Sequence, residues 1–236
     1  MRRAGLLWVV VAAIVTIIGG CSKTEGTKQP STEQRGAPSG AVGTGGAGAN
    51  LNDDEFVRDV ALKNMWELEV SRLALEKAGN PDIKSFAQRM VDDHGAAGQD
   101  LKKTVLPADR VESSLQLDDK HRKTADELAK KQGPDFDRAY LKAMVEGHQD
   151  LTAKLESRLD VQSLADWKTA AAGRSDSKAL PEPKMAMPDV QVRPNKSDND
   201  VTMKINQWAA DTYPVAQKHL DIARRLETDM TKPSTN

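Results

Sequence analysis

Three of the chain's four histidines, His94, His148 and His219, each fall on the apolar stripe of a different predicted helix, and the carboxylate Glu69 falls on the stripe of a fourth. Histidine is only moderately buried in folded proteins, and a buried imidazole wants a partner at each ring nitrogen. Three of them in one core therefore mean either a metal site or a hydrogen-bonded network. His94, His148 and His219 with Glu69 as fourth ligand would hold one transition-metal ion: zinc, copper, iron or manganese. Neutral imidazoles and one carboxylate suit these ions, and an open position would permit catalysis. Alternatively Glu69 hydrogen-bonds the histidines, so that the cluster satisfies itself and fixes one packing without metal. A third alternative is that the histidines never meet. For an ion at roughly 2.1 Å from each ligand, the imidazole nitrogens and a Glu69 oxygen must converge within about 4–5 Å.

The stripes themselves define the elements. Ile83, Ala87, Met90, His94, Ala97 and Leu101 recur at steps of three and four, as do Leu141, Met144, His148, Leu151 and Leu155. Trp208, Thr212, Val215, His219, Ile222 and Leu226 follow the same rule, and Leu62, Met65, Glu69 and Leu73 form a comparable stripe. This is the seam pattern of a four-helix bundle, with one polar group in each seam. Helices are expected over about 53–78, 81–106, 135–159 and 199–230, with a shorter one over 118–131. Gly79-Asn80-Pro81 and Gly133-Pro134 supply the breaks, and Pro214 is expected to bend the last helix. Residues 161–199, polar and with prolines at 181, 183, 188 and 194, read as a loop inserted before it. The fold class is all-α, with the bundle occupying residues 51–232.

Aromatic residues make up 4% of the chain, which fits a helix bundle better than a sheet. A net charge of −1 without a basic block gives no electrostatic case for nucleic acid. No Gly-x-Ser-x-Gly elbow or Gly-rich phosphate loop is present, so nothing indicates a nucleophilic enzyme.

Arg2 and Arg3 precede the apolar run Leu6–Ile18, then Gly19, Gly20 and Cys21. A basic start, a short apolar segment and small residues before a cut read as a secretory signal over residues 1–20. The run covers roughly 20 Å as a helix, too short to span a bilayer comfortably. Ile18-Gly19-Gly20-Cys21 resembles the lipobox of bacterial lipoproteins, which implies lipidation of Cys21 and anchorage of the mature chain to a membrane. Ser22 after it resembles outer-membrane retention facing the periplasm. Residues 21–50, rich in Gly, Ser, Thr, Pro and Gln, would form a flexible tether. Cys21 is the chain's single cysteine, so an intramolecular disulfide and a zinc–thiolate site are both excluded.

Several segments together resemble the DUF4142 family of ferritin-like exported bacterial proteins. They are Glu69-Val70 with Leu73-Ala74, Phe86-Ala87 with Met90-Val91-Asp92-Asp93-His94, Phe136-Asp137 with Tyr140-Leu141, Val145 with His148, and Tyr213-Pro214 with His219-Leu220 and Ala223. The resemblance covers about 53–160 and 200–228. It implies a four-helix bundle and an envelope location, and no settled activity. A ferritin-like di-iron centre needs Glu-x-x-His on two helices. Here Val91, Val145 and Ala216 stand three before the histidines, which argues against that centre. Met90 and Met144, each four before a histidine, suit a soft ion such as Cu(I) or are core filler, and Met185 and Met187 in the insertion have the same two readings. His121 is expected to cap or pack, Asp137 to cap its own helix, and Trp66, Trp167 and Trp208 to anchor the core. Three functions stay open: an envelope lipoprotein with a possible metal or stress role, a metal-dependent redox enzyme, and an interaction module without metal.

Overall fold

A computed structural model describes residues 51–105, 116–172 and 190–232. Among them are four long helices, α1 (Leu51–Lys77), α2 (Pro81–Val105), α4 (Gly133–Glu156) and α6 (Asp200–Thr231), and two short ones, α3 (Asp119–Ala129) and α5 (Val161–Ala172). The long helices form a ring: α4 packs on α6, α6 on α2, α2 on α1 and α1 on α4. This is the four-helix bundle that the seams predict. No described helix is long and apolar enough to cross a membrane.

The turns explain the helix ends. Between α1 and α2, Asn80 accepts from the N–H of Asp82 at 2.8 Å, capping α2 at its Pro81 start. The buried Asp137 caps this same turn from outside, accepting from the N–H groups of Gly79 and Asn80 at 3.1 and 3.0 Å. It therefore closes the α1–α2 turn rather than its own helix, α4. α3 starts at Asp118, whose carboxylate accepts from the His121 N–H at 2.9 Å, and it lays Ala125 and Leu128 against the core beside α1 and α4. α6 runs unbroken through Pro214.

Part of the expected 161–199 loop is helical instead. Asp160 accepts from the Ser163 N–H at 2.9 Å as an N-cap, and Ser163, Leu164 and Trp167 of α5 are buried. The returning segment is pinned as well. Asp160 N–H donates to the Arg193 carbonyl at 2.8 Å, and Asn195 N–H donates to that of Arg158 at 2.9 Å. The expectations for residues 173–189, including Met185 and Met187, fall outside the described residues, as do those for 1–50.

The apolar core is in two parts. One contains Val70, Phe86, Met90, Tyr140, Met144 and Ile222, and the other Val60, Leu101, Leu151, Leu155, Trp208 and Tyr213. On every long helix the two groups are separated by the same polar level: Glu67 on α1, His94 on α2, His148 on α4 and His219 on α6. These four are buried.

Candidate metal centre

Each histidine is held at this level by the three–four stepping of its helix, which aims every seam residue at the bundle axis. The ring centroids of His94, His148 and His219 stand 5.4 Å apart in all three pairs. One nitrogen from each ring lies within 4.8 Å of the other two. Three nitrogens at about 2.1 Å from one zinc ion lie roughly 3.4–3.6 Å apart, so the rings would draw in by up to about 0.7 Å each to close on an ion.

The remaining nitrogens decide what the inner ones carry. His148 Nδ1 donates to the Met144 carbonyl at 2.9 Å. His219 Nε2 donates to Asp93 Oδ2 at 2.8 Å, and His94 Nδ1 donates to Asn64 Oδ1 at 3.0 Å. All three partners accept, so the proton of each neutral imidazole sits on the outer nitrogen and the inner one keeps its lone pair. Burial holds all three rings neutral: His148 is pushed down to about 3, chiefly by desolvation and then by His219. Desolvation, followed by the neighbouring rings, takes His94 well below the usual histidine range. His219 is lowered by burial against the opposing pull of Asp93. Inner atoms His148 Nε2 and His219 Nδ1 are buried without any hydrogen-bond partner.

The three rings meet, and the carboxylate expected to bond them, Glu69, is not among their partners. Two inner nitrogens, His148 Nε2 and His219 Nδ1, have no hydrogen-bond partner among the described residues, while the outer N–H groups are fixed by an amide, a backbone carbonyl and a carboxylate. Such outer partners are the ones that orient histidine ligands around a metal.

The acidic residue at this level is Glu67, not Glu69. Glu69 is exposed, so the fourth ligand expected from the sequence is absent from the centre. The core-facing alternation of α1 is Val57, Val60, Asn64, Glu67, Ser71, Ala74 and Ala78, while Leu62, Met65 and Leu73 are only half-buried. α1 carries apolar residues on two faces, and the smaller ones face inward. Glu67 lies beneath the rings, its oxygens 3.1 Å from His94 Nδ1 and 3.4 Å from His148 Nδ1. Those N–H groups point to Asn64 and Met144, so neither Glu67 oxygen receives a hydrogen bond. Burial accordingly pushes its carboxyl up to about 8. Glu67 touches the outer nitrogens and stands behind the triad rather than in it.

Two mid-helix glycines make room for these supports. A Cβ at Gly98 would meet Asn64 Nδ2 at 2.6 Å, and one at Gly147 would meet a Trp66 ring carbon at 2.9 Å and Glu67 Oε1 at 3.1 Å. Glycine inside a helix costs about 1 kcal/mol against alanine, so both sites trade helix stability for close approach. Asn64 and Glu67 were not singled out from the sequence, and Asp93 entered only within the Met90–His94 segment. The glycines on the neighbouring helices were the available signal.

The other expectations resolve simply. Met90 and Met144 are fully buried core residues. His121 packs on Trp66 with ring centroids 5.4 Å apart and takes Asp118 as its partner, far from any ligand role. Trp66, Trp167 and Trp208 are buried. Cys21 lies outside the described residues.

No curated protein and no solved structure matches the chain. A family model described as "Domain of unknown function (DUF4142)" matches residues 39–176. That span includes Asn64, Glu67, Asp93, His94 and His148, and it ends before the helix that carries His219. The match takes in more than half of the chain, and the protein belongs to the DUF4142 family.

Proposed function

We propose that this protein is a lipid-anchored cell-envelope protein whose bundle binds one transition-metal ion through His94, His148 and His219. The metal reading rests on one observation: buried, unprotonated ring nitrogens converge within 4.8 Å, and two have no partner. A buried polar atom left unpaired is costly, and an ion is the one partner that would satisfy three lone pairs together. With Glu69 outside the centre the ligand set is all nitrogen, which favours zinc or copper over manganese. Three protein ligands leave a fourth position open.

The envelope reading is supported by Arg2, Arg3, the run Leu6–Ile18 and the lipobox-like Ile18-Gly19-Gly20-Cys21. Ser22 favours the outer membrane, with the bundle on its tether in the periplasm.

Metal analysis of the purified bundle from residue 51 tests the first part. About one ion per chain is expected, with a melting temperature that falls on chelation and is restored by Zn²⁺ or Cu²⁺. No bound metal and an unmoved melting temperature with either ion would overturn it. Labelled palmitate incorporated by the full chain and lost in Cys21→Ala tests the anchor, and fractionation of the envelope locates it.

A further inference from the structure

A cleft opens beside the triad, between α1, α2 and α6. Its walls are mainly apolar, Val60, Ala97, Trp208 and Val215 among them, and His94 and His219 both line it. The free volume is about 20 Å³. A water needs roughly 10–15 Å³ by the same measure, so the cleft takes one small molecule and no more. Its mouth is also polarised: Asp93, whose side chain is 41% exposed, lines it while holding His219 in place. The side of the triad that carries Glu67 is closed by that residue and Trp66, both buried.

Resting on the metal reading above, we propose that the cleft delivers one exogenous ligand of one to three heavy atoms to the open position of the ion. The centre would then be a small-ligand site rather than an ion sealed in for structure. Three observations carry this. Two of the three ligand rings line the cleft. Of the other polar groups in its walls, Asn64 and Asp93 are already engaged with the outer nitrogens of His94 and His219, which leaves Thr212. The volume matches a ligand of about the size of a water molecule and leaves little room for a ring. A structural ion needs four closed ligands, and this fold supplies three with a passage.

Co²⁺ serves as a spectroscopic probe, since its visible absorption follows coordination number and ligand type. The bundle loaded with Co²⁺ is titrated with azide, and separately with imidazole as an oversized ligand. Azide is expected to change the spectrum at saturation with one per ion, and imidazole to leave it unchanged. Val215→Phe, which fills the cleft from a half-buried position, is expected to weaken azide at least tenfold while still binding one Co²⁺. Ala97→Leu is the second plug should the first not fold. A spectrum unmoved by azide in the native chain would overturn the proposal. So would imidazole acting as readily as azide, or plugged variants that respond like the native chain. Failure to bind Co²⁺ at all would overturn the metal reading, and this inference with it.

Discussion

Asp93 and His219 meet across the α2–α6 interface at 2.8 Å, a carboxylate on one helix fixing the tautomer of an imidazole on another. The contact places the His219 proton on Nε2 and turns Nδ1 inward. The hydrogen bond from His219 in turn holds the Asp93 carboxyl below its usual range. Outer partners of this kind contribute about 10–100-fold to metal affinity. Asp93→Ala should therefore weaken Zn²⁺ by that factor, and Asp93→Asn, which still accepts from Nε2, by less. Calorimetric titration measures both. Equal affinity in Asp93→Ala and the native chain would remove Asp93 from the centre.

Gly98→Ala isolates a second support. The added methyl displaces the Asn64 amide, and His94 loses the acceptor that orients its ring. Metal affinity should drop about tenfold. The melting temperature of the metal-free chain should change little, because the alanine returns about 1 kcal/mol of helix propensity. Gly147→Ala differs, since Trp66 and Glu67 are both enclosed. Overpacking there should cost about 1–3 kcal/mol in denaturant unfolding. A neutral Gly147→Ala would show that Trp66 can move aside.

The far end of the bundle is locked by Arg158. It pairs with the buried Asp53, donates to the Asn52 carbonyl at 2.9 Å, and lies 4.5 Å from the centroid of the Phe56 ring. Thr202 of α6 donates to the other Asp53 oxygen. Arg158→Leu leaves that carboxylate buried without its cation and should cost about 3–5 kcal/mol. The double variant with Asp53→Asn should recover part of the loss in urea unfolding. Recovery of nothing would mean that packing, not charge, supplies the effect.

Stability of the metal-free chain should peak near the ordinary histidine pKa. Below about 6.5 the unfolded chain protonates its histidines, while the folded ones stay neutral, His148 down to about 3. The unfolded state then binds more protons, and stability falls as pH falls. Glu67 acts the other way. Unfolded, it ionises above about 4.5; folded, it keeps its proton up to about 8, so stability falls as pH rises between these values. Each group contributes a slope of about 1.4 kcal/mol per pH unit in its window. Three histidines against one carboxyl make the acid limb the steeper. Melting from pH 4 to 9 checks this, and Glu67→Gln should flatten the alkaline limb and steepen the acid limb above about pH 4.5. An alkaline limb unchanged in Glu67→Gln would rule out Glu67 as its source.

His94, His148 and His219 were legible in the sequence because their seams are regular and their neighbours large and apolar. The helix spans followed from the same periodicity and from Pro81 and Gly133. α1 misled because Leu62, Met65 and Leu73 suggest a face that packs only partly. Its true seam of Val, Asn, Glu, Ser and Ala looks weak until the close approach of α2 and α4 is known. Asp93 was hidden for another reason: it sits off its own seam and reaches sideways to α6, a contact no single-helix period reveals. α5 was masked by the prolines that follow it, although Asp160, Leu164 and Trp167 carry its cap and its buried face.

His219 sits on the last helix, beyond the α5 segment and beyond the span matched by the family model. The three histidines thus come from three helices that are distant along the chain, and none of the pairs is a local motif. An ion held by them would act as a clasp, closing two long chain loops and removing freedom from the unfolded state. It also makes the order of assembly matter. A chain growing from its N-terminus has only two of the three nitrogens until α6 is made and docked. On the proposed reading, a chain that carries its ion is one whose α6 has docked.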